Sequence, residues 1–120
     1  MEKTILVADD SSTIRKLLSL TLKSNGYHVI SASDGMEALE ILTASKIDLL
    51  ITDLNMPNID GYELVRSVRE NEIYQSIPII ILSSENESED IQKGLQVGAN
   101  SYLVKPFIPG KIQEEVEKYL

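Results

Sequence analysis

The hydrophobic positions of this chain follow two patterns that take turns along its length. Short, nearly continuous apolar runs are typical of strands buried on both faces of a sheet. Between them, apolar residues recur every three or four positions, which is the spacing of a helix with one buried face. The patterns predict five strands, at 4–8, 27–32, 48–52, 77–82 and 101–104, and five helices, which begin near Ser12, Gly35, Gly61, Glu87 and Pro109.

Alternating strands and helices indicate βαβ units, and therefore a mostly parallel sheet with helices on both faces. Because crossovers are right-handed, few topologies remain. We predict an α/β fold of the doubly wound, flavodoxin-like kind, with strand order 2-1-3-4-5 and the second strand at an edge. The buried faces of the second, third and fifth helices are predicted to carry Ala38, Ile41, Leu42, Leu64, Val65, Val68, Ile112, Val116 and Leu120.

Size and charge narrow the class of protein. The chain has 120 residues, 42% of them hydrophobic, so 1–120 is expected to be a single domain with no output domain after the last helix. It contains no cysteine, and the apolar run before Asp9 is too short for a signal peptide or a membrane span. The net charge of −8 disfavours direct contact with nucleic acid. We therefore expect a cytoplasmic protein that binds neither nucleic acid nor membrane.

Polar side chains follow four of the predicted strands, at the point where each strand ends. Asp9 and Asp10 follow the first strand, Asp53 the third, Ser83 the fourth and Lys105 the fifth. In the order 2-1-3-4-5 these strand ends converge on one edge of the sheet, where open α/β sheets bind their ligands. The sequence therefore predicts a site that combines three carboxylates, a hydroxyl and an ammonium.

This combination of groups favours phosphoryl chemistry. Three neighbouring carboxylates raise one another's pKa and need a cation or a proton, and an all-oxygen ligand set suits Mg²⁺, or Mn²⁺ in its place. Lys105 and Ser83 could neutralise an incoming phosphoryl group while Asp53 attacks it, which would give an aspartyl phosphate. Each residue also has an ordinary alternative. Asp53 and Ser83 could be turn residues, Asp9 and Asp10 could cap the first helix, and Lys105 could face solvent.

Four segments of the chain resemble the motifs of response-regulator receiver domains. They are Val-Ala-Asp-Asp-Ser at 7–11, Asp-Leu-Asn-Met-Pro-Asn-Ile-Asp-Gly at 53–61, Ser83 after the apolar run, and Tyr-Leu-Val-Lys-Pro-Phe at 102–107. The resemblance covers nearly the whole chain. Within the family, the segments at 10–15 and 55–58 are most similar to the stand-alone chemotaxis regulators.

The resemblance implies a role for each polar residue of the predicted site. Asp53 would be the phosphoacceptor. Mg²⁺ would be held by Asp9, Asp10 and Asp53, with the backbone carbonyl of Asn55 as a further ligand. Lys105 would pair with the phosphoryl group. The protein would thus catalyse its own phosphorylation and dephosphorylation without being an enzyme that acts on another substrate.

The resemblance also implies a switch beside the site. Ser83 would hydrogen-bond to the phosphoryl group and be drawn inward, and Tyr102 would be the switch aromatic that follows it. Asn55 and Glu85 flank the site and would tune the lifetime of the phosphorylated form. The peptide bond at 105–106 is expected to be cis.

Partners follow from the same resemblance. The phosphoryl donor would be a histidine kinase or a phosphotransfer domain, and a downstream protein would bind the face formed by the fourth helix, fifth strand and fifth helix. Flagellar-motor regulators typically carry lysines at the start of the fourth helix, whereas Glu87 and Ser88 stand there in this chain. Because a partner evolved for a basic face would be repelled, we do not expect the flagellar switch to be the target.

Three other readings remain open. An aspartyl-phosphate phosphatase needs a second acid two residues after the nucleophile, where this chain has Asn55. A flavodoxin-like cofactor carrier needs a phosphate cradle after the first strand, where this chain has Asp9 and Asp10. A receiver that works by protein contact without phosphorylation is disfavoured by the complete set of acids, hydroxyl and lysine.

Overall fold

The computed structural model describes residues 2–120 and has the predicted alternation of strands and helices. The strands are β1 (Thr4–Ala8), β2 (His28–Ala32), β3 (Leu49–Thr52), β4 (Ile79–Ser83) and β5 (Ser101–Val104). The helices are α1 (Ser12–Ser24), α2 (Gly35–Ala44), α3 (Gly61–Glu70), α4 (Ser88–Val97) and α5 (Pro109–Glu117).

The strands form one parallel sheet in the order β2-β1-β3-β4-β5. This order confirms the predicted flavodoxin-like topology, including the edge position of β2. Ala8, the last residue of β1, lies directly beside Thr52, the last residue of β3. The residues that follow these two strands are therefore neighbours at the same edge of the sheet.

The sheet separates two aliphatic layers. One contains Leu50 of β3 and Leu64 of α3, and the other contains Ile51 of β3 and Leu22 of α1. All four residues of β3 are buried, and they alternate between the layers, as expected for a central parallel strand. This packing on both sides fixes the strand ends that carry the polar residues.

The predicted inward faces of the helices are largely correct. Ile41 and Leu120 are the exceptions, because each is half-buried and packs at the margin of a layer. Leu120 also lies beyond α5, which ends at 117 instead of continuing to the last residue. Within residues 2–120, no helix combines the length and the apolar character that crossing a membrane requires.

The predicted limits of β4 were wrong at both ends. The strand covers 79–83 instead of 77–82, since Pro78 has no N–H for a ladder and contributes only its carbonyl, which accepts from Leu50 N at 3.0 Å. Ser83, predicted to follow the strand, is its last residue and is fully buried.

Three other strand and helix starts also lie later than predicted. Tyr27 precedes β2, Asp48 precedes β3 and Glu87 precedes α4. Asp48 has its own function in the fold, because its side chain accepts the backbone N–H of Thr4 at 2.8 Å. This bond joins the starts of β1 and β3 at the end of the sheet opposite the polar residues.

The starts of the helices differ in how firmly they are held. Ser11, Asp34 and Asp60 each accept a backbone N–H from the first turn of α1, α2 and α3, at 3.3, 2.8 and 2.9 Å. Such caps stabilise a helix by about 1 kcal/mol. Among the described residues, α4 has no side-chain cap at Glu87, and of its ten residues Gly94 alone is buried. α4 is therefore less firmly attached than the first three helices.

The loop between β3 and α3 turns back close to its own start. The N–H of Gly61 donates to the carbonyl of Leu54 at 2.8 Å, which closes the loop at its base. A Cβ at position 61 would lie 2.1 Å from the carbonyl oxygen of Asp53 and 2.7 Å from the Cα of Leu54. Because both are backbone atoms, no side chain can move aside, and position 61 requires glycine.

Gly61→Ala should therefore lower the free energy of unfolding by about 2 kcal/mol or more, because the loop must shift to admit the methyl group. Urea denaturation at neutral pH measures this change. Gly110→Ala is the matched control, since nothing lies within 4 Å of its Cβ position, and it should leave stability unchanged or raise it by up to about 1 kcal/mol. Equal stability of the two variants would contradict this account of the loop.

Candidate functional site

The backbone of the candidate site is an extension of the sheet. Directly after β3, Asp53 N donates to Ala8 O at 2.9 Å, and directly after β5, Lys105 N donates to Ser83 O at 2.8 Å. The N–H of Asp9 is held in the same way by the last residue of β2, at 3.1 Å. The side chains therefore project from backbone that is as firmly fixed as the strands themselves.

Three carboxylates meet at this edge. Asp9, Asp10 and Asp53 each present an oxygen within 4.8 Å of the others. Asp9 and Asp53 are 2% and 6% exposed, whereas Asp10 is exposed to solvent. One oxygen of Asp9 accepts the N–H of Ser11 at 2.9 Å, and one oxygen of Asp53 accepts the N–H of Leu54 at 2.8 Å. The second oxygens of Asp9 and Asp53 face the same ammonium group.

That ammonium group belongs to Lys105, the residue that follows β5. Its Nζ lies 2.9 Å from Asp9 Oδ2 and 3.4 Å from Asp53 Oδ2. Lys105 is half-buried, so solvent screens these ion pairs only in part. The peptide bond between Lys105 and Pro106 is cis, which confirms the expectation from the sequence.

Burial and charge change the titration of two of these groups. Burial raises the pKa of Asp53, and the neighbouring charge of Asp9 raises it further, against the lowering effect of Lys105 and of the Leu54 N–H. Burial alone would lower the pKa of Lys105, but its hydrogen bond to Asp9 and the charges of both carboxylates outweigh this and raise it. Lys105 thus remains charged at neutral pH, whereas ionised Asp53 is held at a cost in free energy.

The donor set fits a hard divalent cation. It consists of carboxylate oxygens, two of them buried and one exposed, at separations that a single ion can span. Magnesium prefers one or two carboxylates, retained waters and phosphate oxygens. The exposed carboxylate of Asp10 gives such an ion an open side toward solvent. The fourth predicted ligand, Asn55, lies two residues after Asp53, in the loop that Gly61 closes.

The predicted tuning residues contact each other. The side-chain amide of Asn55 donates to Glu85 Oε1 at 3.0 Å, and both residues are exposed. This bond spans the mouth of the site, from the loop after β3 to the loop after β4. The structure therefore brings Asn55 and Glu85 together, although they are thirty positions apart in sequence.

The predicted switch residues lie in a chain that leads from the site to α4. Ser83 Oγ accepts the N–H of Glu85 at 3.2 Å, and the hydroxyl of Tyr102 donates to the carbonyl of Glu85 at 2.7 Å. The Tyr102 ring in turn lies against Gly94, where a Cβ would come within 3.0 Å of it. Here Tyr102 already has its hydroxyl bonded to the loop beside Ser83.

Sequence reasoning missed three side chains near the site. The guanidinium of Arg15 donates to the backbone carbonyl of Asp9 at 2.7 Å. The ammonium of Lys93 lies 4.1 Å from the centre of the Tyr62 ring, which joins α4 to α3. Asp34, at the start of α2, contacts the loop after β3. No local pattern marks these contacts, because each depends on how separate elements approach one another.

Comparisons with known proteins give one consistent result. The sequence matches the family described as "Response regulator receiver domain" over residues 5–117. It is 41% identical to a "Chemotaxis protein CheY homolog" of Campylobacter jejuni over 118 residues, covering 97% of this chain and 91% of that one. It is 39% identical to the regulatory protein PhoP of Bacillus subtilis, and there the match covers 49% of the longer relative. Among solved structures, chemotaxis protein CheY4 of Vibrio cholerae superposes with a TM-score of 0.94 at 39% identity, covering 100% of both chains.

The raised pKa of Asp53 predicts that its ionisation destabilises the folded state. A carboxyl group whose pKa is raised on folding contributes to the stability of the folded state in full only below its unfolded pKa, here near 3.8. That contribution is lost as pH rises through its folded pKa. Asp53→Asn, which cannot ionise, should therefore be more stable than the wild type at pH 7 without divalent ions. The difference should vanish below the unfolded value.

Thermal unfolding between pH 3 and pH 8 measures this difference. Glu40→Gln is the matched control, because it makes the same change of acid to amide at an exposed position of α2 and should not alter stability. If Asp53→Asn were less stable than the wild type at pH 7, attraction to Lys105 would outweigh burial and repulsion, and the assigned cause would be wrong.

Proposed function

Because the chain belongs to the response-regulator receiver domain family, we propose that it accepts a phosphoryl group on Asp53 and signals through the resulting change of shape. Receiver domains take their phosphoryl group from histidine kinases and act on downstream targets. The observation that carries the assignment of Asp53 is the position of one ammonium, 2.9 Å from Asp9 and 3.4 Å from Asp53, beside a cluster of three carboxylates.

The transfer step follows from the chemistry of this cluster. A carboxylate oxygen of Asp53 forms a bond to phosphorus while the bond from phosphorus to the donor's imidazole nitrogen, or to the acyl oxygen of a small acyl phosphate, breaks. The leaving group departs with that electron pair. Lys105 then pairs with the phosphoryl oxygens, whose charge it can neutralise from its position beside Asp9 and Asp53.

Asp9, Asp10, Asp53 and the carbonyl of Asn55 would hold a magnesium ion, or manganese in its place. Such an ion supplies positive charge at the phosphoryl oxygens. The three carboxylates then share two cations, the ion and Lys105, which relieves their mutual repulsion.

Hydrolysis restores the starting state. Water attacks phosphorus, the bond to the Asp53 oxygen breaks, and inorganic phosphate leaves. The side chains of Asn55 and Glu85 are bonded to each other across the loops after β3 and β4. We expect them to set the lifetime of the phosphorylated form by steering the attacking water. The protein would thereby catalyse two reactions of its own side chain, phosphorylation and dephosphorylation, and would serve as a phosphoacceptor rather than as an enzyme with a dedicated substrate.

The change of shape would travel from Ser83 to α4. A phosphoryl group on Asp53 attracts the hydroxyl of Ser83, which in this structure is bonded to the N–H of Glu85. Withdrawal of that hydroxyl would alter the loop after β4, where the carbonyl of Glu85 accepts a hydrogen bond from Tyr102. Because α4 lacks a side-chain cap within the described residues and buries Gly94 alone, it is the element that yields.

A downstream protein would bind the face formed by α4, β5 and α5. Three exposed apolar side chains mark that face, those of Leu95, Val104 and Ile108. The first turn of α4 carries Glu89 and Asp90 beside Glu87. We therefore expect a partner with an apolar centre and basic margins, and not one that evolved for a lysine-rich α4.

Incubation with acetyl phosphate and Mg²⁺ should add one phosphoryl group to the wild type, detected by intact-mass spectrometry. Asp53→Asn should gain none, because its amide is not a nucleophile. Glu40→Gln, the control used above, should react as the wild type does. Phosphoryl transfer to Asp53→Asn, or none to the wild type, would refute the assignment.

The double variant Glu87→Lys/Ser88→Lys should separate the site from the output face. Its rate of phosphorylation by acetyl phosphate should stay within about threefold of the wild type, since these residues lie outside the carboxylate cluster. Its affinity for a lysine-rich helical probe peptide, measured by fluorescence anisotropy, should fall several-fold through like-charge repulsion. Loss of phosphorylation together with peptide binding would show that site and face are not separable.

A further inference from the structure

The loop between β3 and α3 is attached to the body of the protein at its far end as well as at its base. Asn58, near the tip, has φ of +70°, in the left-handed region that asparagine tolerates better than most residues. Its side-chain amide Nδ2 donates to Asp34 Oδ2 at 3.0 Å. Asp34 belongs to the turn that precedes α2, twenty-four positions away in sequence.

Asp34 uses its two carboxylate oxygens for two different tasks. Oδ1 caps α2 by accepting the N–H of Glu37 at 2.8 Å, and Oδ2 accepts the amide of Asn58. The backbone is close here as well, because a Cβ on Gly35 would lie 2.4 Å from the carbonyl oxygen of Ile59. The tip of the loop thus packs against the start of α2 and is held there by the hydrogen bond from Asn58 to Asp34, which we call the clasp.

The clasped loop carries part of the proposed cation site. It begins at Asp53, includes Asn55, and is closed by the bond from Gly61 N to Leu54 O. Asn55 is exposed and lies outside the sheet ladder, so the ladder does not fix its backbone. A carbonyl ligand must be held in position before the ion arrives, since ordering it on binding lowers the affinity.

We propose that Asp34 is a positioning residue for the divalent-cation site, acting through Asn58 on the backbone of Asn55. This inference rests on the proposed function, because it assigns Asn55 as a ligand. Asp34 itself does not belong to the carboxylate cluster of Asp9, Asp10 and Asp53, and its two oxygens are engaged elsewhere. Its effect on cation binding is to fix the position of the Asn55 backbone. This effect can be told apart from that of its negative charge, because a variant can break the contact and add negative charge at the same time.

Exchanging the two partners tests this separation. Asn58→Asp places two carboxylates 3 Å apart and breaks the clasp, yet it adds a negative charge near the site, which by Coulomb attraction alone would strengthen cation binding. We expect the opposite, a weakening of Mg²⁺ binding by about tenfold, the lower end of the effect that loss of a supporting contact has on other metal sites. Isothermal titration calorimetry with Mg²⁺ alone measures it.

The double variant Asp34→Asn/Asn58→Asp is the decisive comparison. It restores one amide and one carboxylate with donor and acceptor reversed, leaves the net charge unchanged, and keeps an oxygen on residue 34 that can cap α2. Mg²⁺ affinity should return to within about twofold of the wild type if the clasp positions the loop. The single variant Asp34→Ala should bind weakly, because residue 34 then has no oxygen to accept the amide of Asn58.

Asp60→Ala is the matched control for Asp34→Ala. Asp60 caps α3 with one oxygen and borders the same loop, so the variant removes the same charge and the same kind of cap without touching the bond between Asn58 and Asp34. It should change Mg²⁺ affinity by less than about twofold. Urea denaturation of all variants reports stability, which a purely structural role would lower in step with affinity.

The outcomes are distinct. The proposal is supported if Asn58→Asp binds Mg²⁺ weakly and the exchanged pair recovers the affinity, while the stabilities of the variants follow a different order from their affinities. Wild-type affinity in Asn58→Asp, or no recovery in the exchanged pair, overturns it, even where wild-type Asp53 is phosphorylated normally. Failure of the wild type to bind Mg²⁺ overturns the cation site and this inference together.

Discussion

Two buried carboxylates stand side by side at the edge of this sheet because one ammonium lies between them. At 4 Å and an effective dielectric constant near 20, two like charges repel by about 4 kcal/mol. Lys105, at 2.9 Å from Asp9 and 3.4 Å from Asp53, more than offsets this repulsion by the same relation. It does not offset the cost of burying the charges, because the pKa of Asp53 remains raised, first by burial and then by the charge of Asp9. The three charged groups are stable together, although ionised Asp53 is held at a cost in free energy. A cation or an anion that binds beside them changes the balance of charge, so the site responds to binding.

The fold keeps that arrangement rigid while it leaves a neighbouring element free to move. Lys105 and Asp9 are 96 positions apart, and they meet because the sheet ladder continues past the ends of their strands. α4 has the opposite character, with one buried residue and, among the described residues, no side-chain cap. A stiff site next to a loosely held helix is what a two-state switch needs, since the free-energy gap between its states must be small.

The sequence predicted the parts that the sheet determines. Apolar runs that end abruptly at Asp9, Asp53 and Lys105 were sufficient to place these residues at one edge, because strand order and crossover handedness leave few choices. The end of β4 was placed one residue early because Ser83 is polar, yet it is buried as the last residue of the strand.

The contacts that pattern could not predict are those made by side chains across loops. The bonds from Asn58 to Asp34 and from Tyr102 to the carbonyl of Glu85 join segments 24 and 17 positions apart. They depend on loop backbone such as the positive φ of Asn58, for which periodicity carries no signal. Propensity shows that asparagine tolerates that conformation, but not which carboxylate its amide will reach.

The glycine in α4 makes the contact between β5 and this helix a direct one. Most contacts between elements are made by two side chains, and a small displacement of one is taken up when the other changes rotamer. At Gly94 the ring of Tyr102 and the end of Ile81 meet the main chain of the helix directly. There is no intervening side chain to provide slack, so a shift of the ring becomes a shift of the helix axis. A single methyl group at this position would lie 2.8 Å from the end of Ile81 and 3.0 Å from the ring of Tyr102. It would therefore push the helix away from the sheet and remove this direct contact.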